Sequence, residues 1–175
     1  SKFGAELEVW RATQEGVPAV IVNPGVILGT GVEGNPLELL CNQIDNRLLF
    51  YPKGATGYVT VEDVVQVLTD LMVSETENER FILVAENWSY EQMLRRIALI
   101  RKKRPPRIGL RKSWLQIAWG LEGILSLFGK RRFMTQALIS SLCDIKHIQG
   151  NRIIKESSFK YSDIDNFQSQ LQSAT

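Results

Sequence analysis

The sequence predicts an α/β fold built on a parallel sheet. Val17–Val22 and Phe81–Val84 are nearly continuous apolar runs, which are typical of strands buried on both faces of such a sheet. Both runs lie between segments with helical periodicity, and strands that alternate with helices favour parallel pairing. Only two or three strands are recognisable, and so small a sheet cannot cover its own faces and edges. We therefore expect the rest of the sheet in residues beyond this sequence or in a second copy of the chain.

Composition and length indicate a single globular unit. The chain has 175 residues, of which 44% are hydrophobic, and this length suits one core better than two. A net charge of +2 indicates neither the presence nor the absence of a polyanionic partner. Cys41 and Cys143 match no metal or redox spacing, so we expect two reduced thiols and no metal site. With neither a leader peptide nor a membrane-length apolar run in view, a cytoplasmic protein is expected.

The first residues form an amphipathic helix. Phe3, Leu7 and Trp10 recur at helical spacing, and the helix is expected to run to about Gln14 and end at Gly16. Because Ser1 leads straight into this helix without an initiator Met, we expect an upstream part to be absent.

A glycine-containing loop follows the first strand. Asn23–Gly31 contains three glycines, which permit close approach of the backbone to another group. A short helix is expected from Pro36 to Ile44. Tyr58–Val61 is then predicted to form a short strand.

The next helix begins with a capping signal. Thr60 and Asp63 have capping-box spacing, so Asp63 is interpreted as a helix-cap carboxylate without a catalytic role. The apolar face of this helix is predicted to comprise Val64, Val65, Leu68, Leu71 and Met72. Ser89 and Gln92 form a second capping box for a helix that contains Met93, Leu94, Ile97 and Ile100.

The character of the sequence changes at Arg101. A basic, proline-containing linker leads to an apolar helix at 113–128, a helix at 135–142, an extended piece at 152–154 and a last helix at 162–171. We therefore expect one partial unit, in which residues 1–100 carry the sheet and residues 101–175 form a mainly helical lobe. His147, the only histidine, is interpreted as a structural or surface residue.

Two features in this region allow alternative interpretations. The linker Arg101–Arg107 is basic but lacks interleaved aromatic residues, so a solvated helix end is favoured and nucleic acid is not an expected partner. The helix at 113–128, flanked by Lys112 and Lys130, could lie on a membrane surface or pack within a substrate lobe. Packing is favoured, so a membrane is not an expected partner.

Several motifs occur in an order that resembles a known family. Lys2 and Glu6 lie on the first helix, and a strand leads to Asn23-Pro24-Gly25-Val26. Tyr58–Val64 then reads as an aromatic residue followed by Val-x-Val-x-Asp, and Phe81–Val84 precedes the Ser89 helix. This order resembles the C-terminal half of an extended short-chain dehydrogenase/reductase. Thr56-Gly57 stands where many nucleotide-sugar epimerases carry Arg-Asp, which favours the dihydroflavonol-reductase-like branch.

The resemblance implies a fold and a set of site residues. The fold would be the C-terminal portion of a Rossmann-type parallel sheet plus a mostly helical substrate lobe, without the N-terminal nucleotide-binding half. Lys2 would be the catalytic lysine, which lowers the pKa of a tyrosine one helical turn upstream and holds the nicotinamide ribose. Pro24, Gly25 and Val26 would contact the cofactor through their backbone. The tyrosine and the Gly-rich loop would lie upstream, so weak or no binding of NAD or NADP is expected.

The parent protein would then be an NAD(P)-dependent epimerase, dehydratase or carbonyl reductase with a small-molecule substrate. The chain alone is expected to be inactive. Two other hypotheses remain open: an interaction module that forms homo-oligomers through an exposed sheet edge, and a membrane-surface fragment related to lipid-modifying reductases.

Overall fold

The computed structural model describes residues 2–29, 36–117, 135–157 and 159–163. They form two compact units, each assembled from segments that are separated along the chain. Unit 1 comprises residues 1–29, 58–86 and 148–167, and unit 2 comprises residues 30–57, 87–147 and 168–175. Along the described residues, the chain passes between the two units four times.

Helices and strands alternate through both units. In chain order they are α1 (Lys2–Gln14), β1 (Val20–Pro24), β2 (Val26–Leu28), α2 (Pro36–Asp45), β3 (Phe50–Pro52), β4 (Ala55–Thr60), α3 (Val61–Met72), β5 (Glu79–Leu83), β6 (Glu86–Ser89), α4 (Tyr90–Ile100), β7 (Ile108–Leu110), α5 (112–117), α6 (Gln136–Cys143) and α7 (Arg152–Glu156). β1 pairs with β5, β2 with β4 and β3 with β7, and all three pairs are parallel. This arrangement confirms the predicted α/β class with parallel strands. Within the described parts of the chain, none of the helices is long and apolar enough to cross a membrane.

The core of unit 1 lies between its strands and α3. Val59, Phe81 and Leu83 are at most 1% exposed, and Val64 and Val67 of α3 pack against them. Two residues from near the end of the chain, Ile153 of α7 and Phe159, complete the same cluster. Burying one such side chain contributes about 1.5–3 kcal/mol, so the C-terminal segment is part of the core of this unit.

Polar contacts fix that C-terminal segment. The Asp63 side chain is 1% exposed, and its two carboxylate oxygens accept the backbone N–H of Ser162 at 3.1 and 3.3 Å. The Tyr161 hydroxyl accepts from the Val84 N–H at 3.3 Å and donates to the Gly150 carbonyl at 3.0 Å. A Cβ at Gly150 would lie 2.5 Å from the backbone N and O of Val84, so this approach requires glycine.

The core of unit 2 lies between α2 and α4. Its buried side chains include Leu37, Cys41 and Ile44 on α2, and Met93, Leu94, Ile97 and Ala98 on α4. Asp45, at the end of α2, forms an ion pair with Arg101, the C-cap of α4. The hydrogen bond from Arg101 lowers the pKa of the Asp45 carboxyl, which keeps the pair charged. Burial raises the pKa of the Cys41 thiol, and both Cys41 and Cys143 are free.

The local capping signals are confirmed. Gly16, two residues after the end of α1, has a left-handed φ of +89°, and Ser89 and Gln92 form the complete capping box at α4. The Thr60 hydroxyl accepts from the Asp63 N–H at 3.2 Å, as predicted. The Asp63 carboxylate, however, bonds to Ser162 from the distant C-terminal segment.

Other predictions were wrong. The strand predicted at Val17–Val22 begins at Val20, and β1 is half-buried up to Asn23 and exposed at Pro24, not buried on both faces. β2, β3 and β7 were missed because three-residue strands carry little periodicity, and β6 was missed as well. On α3 the buried residues are Asp63, Val64 and Val67, whereas Val65, Leu68 and Met72 are 56%, 43% and 85% exposed.

The C-terminal predictions have mixed outcomes. Residues 152–154 belong to the short helix α7, in which Arg152 pairs with Glu156 one turn later, and are not extended. α6 begins after the Thr135 N-cap, as expected. Of the helix predicted at 113–128, residues 118–128 lie outside the described residues. Of the helix predicted at 162–171, residues 164–171 lie outside them.

The Asp63–Ser162 contact leads to a stability prediction. In Asp63→Ala the Ser162 N–H loses its carboxylate acceptor in a part-buried contact, so the free energy of unfolding should fall by about 1–3 kcal/mol in urea denaturation followed by circular dichroism. Asp70→Ala, at an exposed position of the same helix, is the control and should change it by less than about 0.5 kcal/mol. Equal effects of the two substitutions would contradict a specific role for Asp63.

Candidate functional site

The carboxyl ends of β1 and β5 form a shared edge in unit 1. The strands are parallel, and Pro24 at the end of β1 is the register partner of Leu83 at the end of β5. The Gly25 N–H donates to the Leu83 carbonyl at 2.9 Å, and the next residue, Val26, pairs with Tyr58 of β4. The chain therefore changes its strand partner at Gly25. In open α/β sheets, ligands bind beyond the carboxyl ends of the strands, so this edge is the candidate site.

The loop at Gly25, where the strand partner changes, presents backbone and apolar surface to solvent. Pro24 is exposed and Gly25 is partly exposed. Val26 and Ile27 are 43% and 42% exposed, although both belong to β2. Because Gly25 has no side chain, a flat ring could approach its backbone closely, and the two aliphatic side chains would supply apolar contacts. The three residues predicted to contact the cofactor thus lie together at one edge of the sheet.

Arg80 links α1 to both strands of this edge. Its Nη1 lies 3.2 Å from Glu6 Oε1 on α1. With the Asn23 amide oriented to satisfy both groups, Asn23 Oδ1 accepts from Arg80 Nε and Nη2 at 2.7 and 2.8 Å. Asn23 precedes Pro24 directly, so the Arg80 guanidinium connects the first helix with the residue before the loop.

Lys2 is the first residue of α1, and its side chain is exposed. Glu6 lies four residues later, and residues at this spacing share one face of a helix. Within the described part of the chain, no hydrogen bond or ion pair of Lys2 is formed. The catalytic role given to Lys2, and the cofactor contacts given to Pro24, Gly25 and Val26, stay predictions.

Two residues of this region were not predicted from the sequence. Arg80 directly precedes the predicted apolar run Phe81–Val84, and in the structure it belongs to the same strand, β5. Tyr161 contacts Val84, the residue directly after β5, although 77 residues separate them in sequence. Burial raises the pKa of the Tyr161 hydroxyl, so it stays protonated and donates to Gly150. The Asp63 carboxylate, predicted to be a helix-cap group, accepts the backbone N–H of Ser162 from the C-terminal segment.

Two cavities are also found among the described residues. One in unit 1, of about 100 Å³, is lined by residues such as Leu71, Phe81 and Ile153. The other, in unit 2, has a volume of about 200 Å³, and its lining includes Lys112 and Gln136. Neither is lined by Lys2 or by the loop at Gly25, so the sheet edge is the better candidate site.

Solved structures share the fold of this chain. The protein gox2253 is 22% identical, with a TM-score of 0.76 over 97% of this chain and 52% of its own. A nucleoside-diphosphate-sugar epimerase from Pseudomonas aeruginosa is 17% identical, with a TM-score of 0.74 over 98% of this chain and 52% of its own. The human epimerase family protein SDR39U1, solved with NADPH, is 16% identical, with a TM-score of 0.62 over 88% of this chain and 47% of its own.

These similarities establish the fold and its extent. The chain spans about half the length of these structures and shares their mixed α/β fold with parallel strands. At such identities the likeness is one of fold. No protein-family model matches the sequence, and no curated protein is similar to it.

The Arg80 contacts lead to a prediction about local stability. Arg80→Met removes the contacts to Glu6 and Asn23, so amide hydrogen exchange in residues 2–14, and in Gly25 and Val26, should become up to about fivefold faster. Arg11→Met is the matched control, because the ion pairs of Arg11 among the described residues are local, with Glu8 at 3.0 Å and with Glu15, directly after α1, at 3.8 Å. If both variants exchange alike in Gly25 and Val26, Arg80 does not stabilise the loop.

Proposed function

We propose that this chain is the C-terminal half of an NAD(P)-dependent epimerase, dehydratase or carbonyl reductase of the extended short-chain dehydrogenase/reductase type. The observation that carries the proposal is the switch of strand partner at Gly25, at the carboxyl edge of a parallel sheet. The lysine-bearing helix and the Pro24-Gly25-Val26 loop occur in the order that this family would require. The extent of the fold match, about half of each neighbouring structure, supports it further.

Each candidate residue has a distinct role in this proposal. The nicotinamide of NAD or NADP would supply or accept a hydride when bound. Pro24, Gly25 and Val26 would orient its ring through their backbone, and the exposed side chains of Val26 and Ile27 would exclude water from one side. The Lys2 ammonium would hold the ribose and lower the pKa of a tyrosine one helical turn upstream. That tyrosine would move the proton to or from the substrate oxygen.

The substrate would be a small molecule held by unit 2. In this proposal α2 and the helices after Arg107 contact it. Thr56-Gly57, in place of an Arg-Asp pair, favours the dihydroflavonol-reductase-like branch over the nucleotide-sugar epimerases. A cytoplasmic location is part of the same proposal.

The chain of residues 1–175 is proposed to be inactive on its own. In a fluorescence titration, NADH and NADPH should give no saturable signal with this chain up to high micromolar concentration, because the phosphate-binding loop would be contributed by the missing half. Saturable binding by residues 1–175 would contradict this division of the cofactor site.

The role of Lys2 is tested in a longer protein that includes the upstream half. There, Lys2→Met should lower kcat about 10²–10⁴-fold, because the tyrosine loses its charged neighbour, and Lys2→Arg should retain part of the activity. Lys155→Met, at an exposed position of α7, is the control and should leave kcat unchanged. Full activity of Lys2→Met would remove Lys2 from the proposed site.

A second candidate function is that of a self-associating module. In the described structure β1 has β5 as its hydrogen-bonded neighbour on one side. Phe3 and Leu7 of α1 are 72% and 52% exposed. An open strand edge and an apolar helix face both favour association, and the occupant of this surface would be a second copy of the chain.

Sedimentation velocity over a wide concentration range tests this candidate. The chain should form dimers at tens of micromolar, and Leu7→Lys should shift it to monomers by placing a charge in the contact. Val65→Lys is the matched control, because Val65 is equally exposed at 56% but lies on α3. A concentration-independent monomer would rule out the module.

A further inference from the structure

The basic residues are concentrated in one part of the chain. Residues 92–143 carry twelve lysines and arginines and a single acidic residue, Glu122. The rest of the chain carries nine lysines and arginines against eighteen aspartates and glutamates. The net charge of +2 therefore conceals a strongly basic segment within unit 2.

Exposed apolar side chains lie directly beside part of this segment. The Leu49 carbonyl accepts from the backbone N–H groups of Arg107 and Ile108 at 3.1 and 3.0 Å. Phe50 and Ile108 are register partners in the parallel pair β3–β7, so their side chains emerge next to each other on one face. Leu49, Phe50 and Ile108 are 57%, 46% and 50% exposed.

Cationic side chains accompany these apolar ones. Arg107 precedes Ile108 and is exposed, as is Arg104 on the same connection. Arg47 is exposed two residues before Leu49 and has a left-handed φ of +61°. We call this set the basic-apolar patch; it comprises Arg47, Leu49, Phe50, Arg104, Arg107 and Ile108.

We infer that the basic-apolar patch docks on the surface of an anionic phospholipid membrane. Such a surface supplies phosphate and carboxylate groups for the arginines and acyl chains for the three apolar side chains. A nucleic acid would engage the arginines but would leave Leu49 and Ile108 without apolar partners. The patch thus matches the chemistry of a lipid surface in both respects.

Exposed apolar side chains also lie next to basic residues at α5 in unit 2. Trp114 and Ile117 of α5 are 64% and 58% exposed, directly after Arg111 and Lys112. Tryptophan favours the boundary between headgroups and acyl chains, because one end of its ring system is polar. This docking is independent of the proposed oxidoreductase function: a chain that lacks catalytic activity could still bind the membrane.

Vesicle flotation with the chain of residues 1–175 tests the inference. The chain should float with vesicles of phosphatidylcholine that contain about one third phosphatidylserine, and stay behind with pure phosphatidylcholine. Binding should weaken when salt is raised to about 1 M, because the Debye length then shrinks to about 3 Å. No flotation with the anionic vesicles would overturn the proposal.

Two patch variants separate the charged from the apolar contribution. Arg104→Ala with Arg107→Ala should weaken partitioning about 25-fold, which corresponds to about fivefold per charge. Leu49→Ser with Ile108→Ser should weaken it about tenfold or more, because less apolar surface is buried. The matched controls lie in unit 1, at exposed positions: Lys155→Ala with Lys160→Ala, and Met72→Ser. Circular dichroism confirms that each variant is folded.

The variants also distinguish a membrane site from a general polyanion site. If Leu49→Ser with Ile108→Ser leaves vesicle binding unchanged, the apolar contacts are not used and the inference fails. If heparin binds to the chain as strongly as the vesicles do and competes fully, the surface recognises negative charge alone, which also overturns it. Loss of binding in both patch variants, with the controls unchanged, supports membrane docking.

Discussion

The backbone at the carboxyl end of β5 holds three distant segments of unit 1 together. The Leu83 carbonyl accepts a hydrogen bond from the Gly25 N–H. The Val84 N–H donates to the Tyr161 hydroxyl, which itself donates to the Gly150 carbonyl. A buried backbone group without a partner is costly, so each bond constrains the segment that supplies the other half. The loop of the candidate site and the C-terminal segment are therefore positioned by the same two residues.

Different kinds of contact stabilise the core and the candidate site of unit 1. The C-terminal segment contributes Ile153 and Phe159 to the core, and the buried Asp63 carboxylate secures its backbone at Ser162. The contacts that surround the candidate site are of another kind, because the Glu6–Arg80 pair is partly solvated and such pairs contribute little to global stability. We expect the core to determine whether unit 1 folds, and the Arg80 contacts to determine how firmly the loop is held.

Unit 2 combines a conventional core with an unusual surface. Its α2–α4 core is closed by the Asp45–Arg101 pair, in which one cation of the basic segment has a structural use. Most other cations in the described part of that segment are exposed, and some of them lie beside apolar side chains on β3 and β7. A surface of this composition favours association, and this is the physical basis for assigning it a lipid partner.

The sequence by itself determined the α/β class, the helix caps at Thr60 and Ser89, and the order of the motifs around Lys2 and Gly25, because these depend on neighbours within a few residues. Only the tertiary structure decided which face of α3 is buried, since Val67 meets Phe81 whereas Val65 points to solvent. The tertiary structure likewise decided that the Asp63 carboxylate accepts the N–H of Ser162, 99 residues away, and that Arg80 links α1 to the loop. Such contacts join segments whose proximity follows from the path of the whole chain, and that path leaves no local pattern in the sequence.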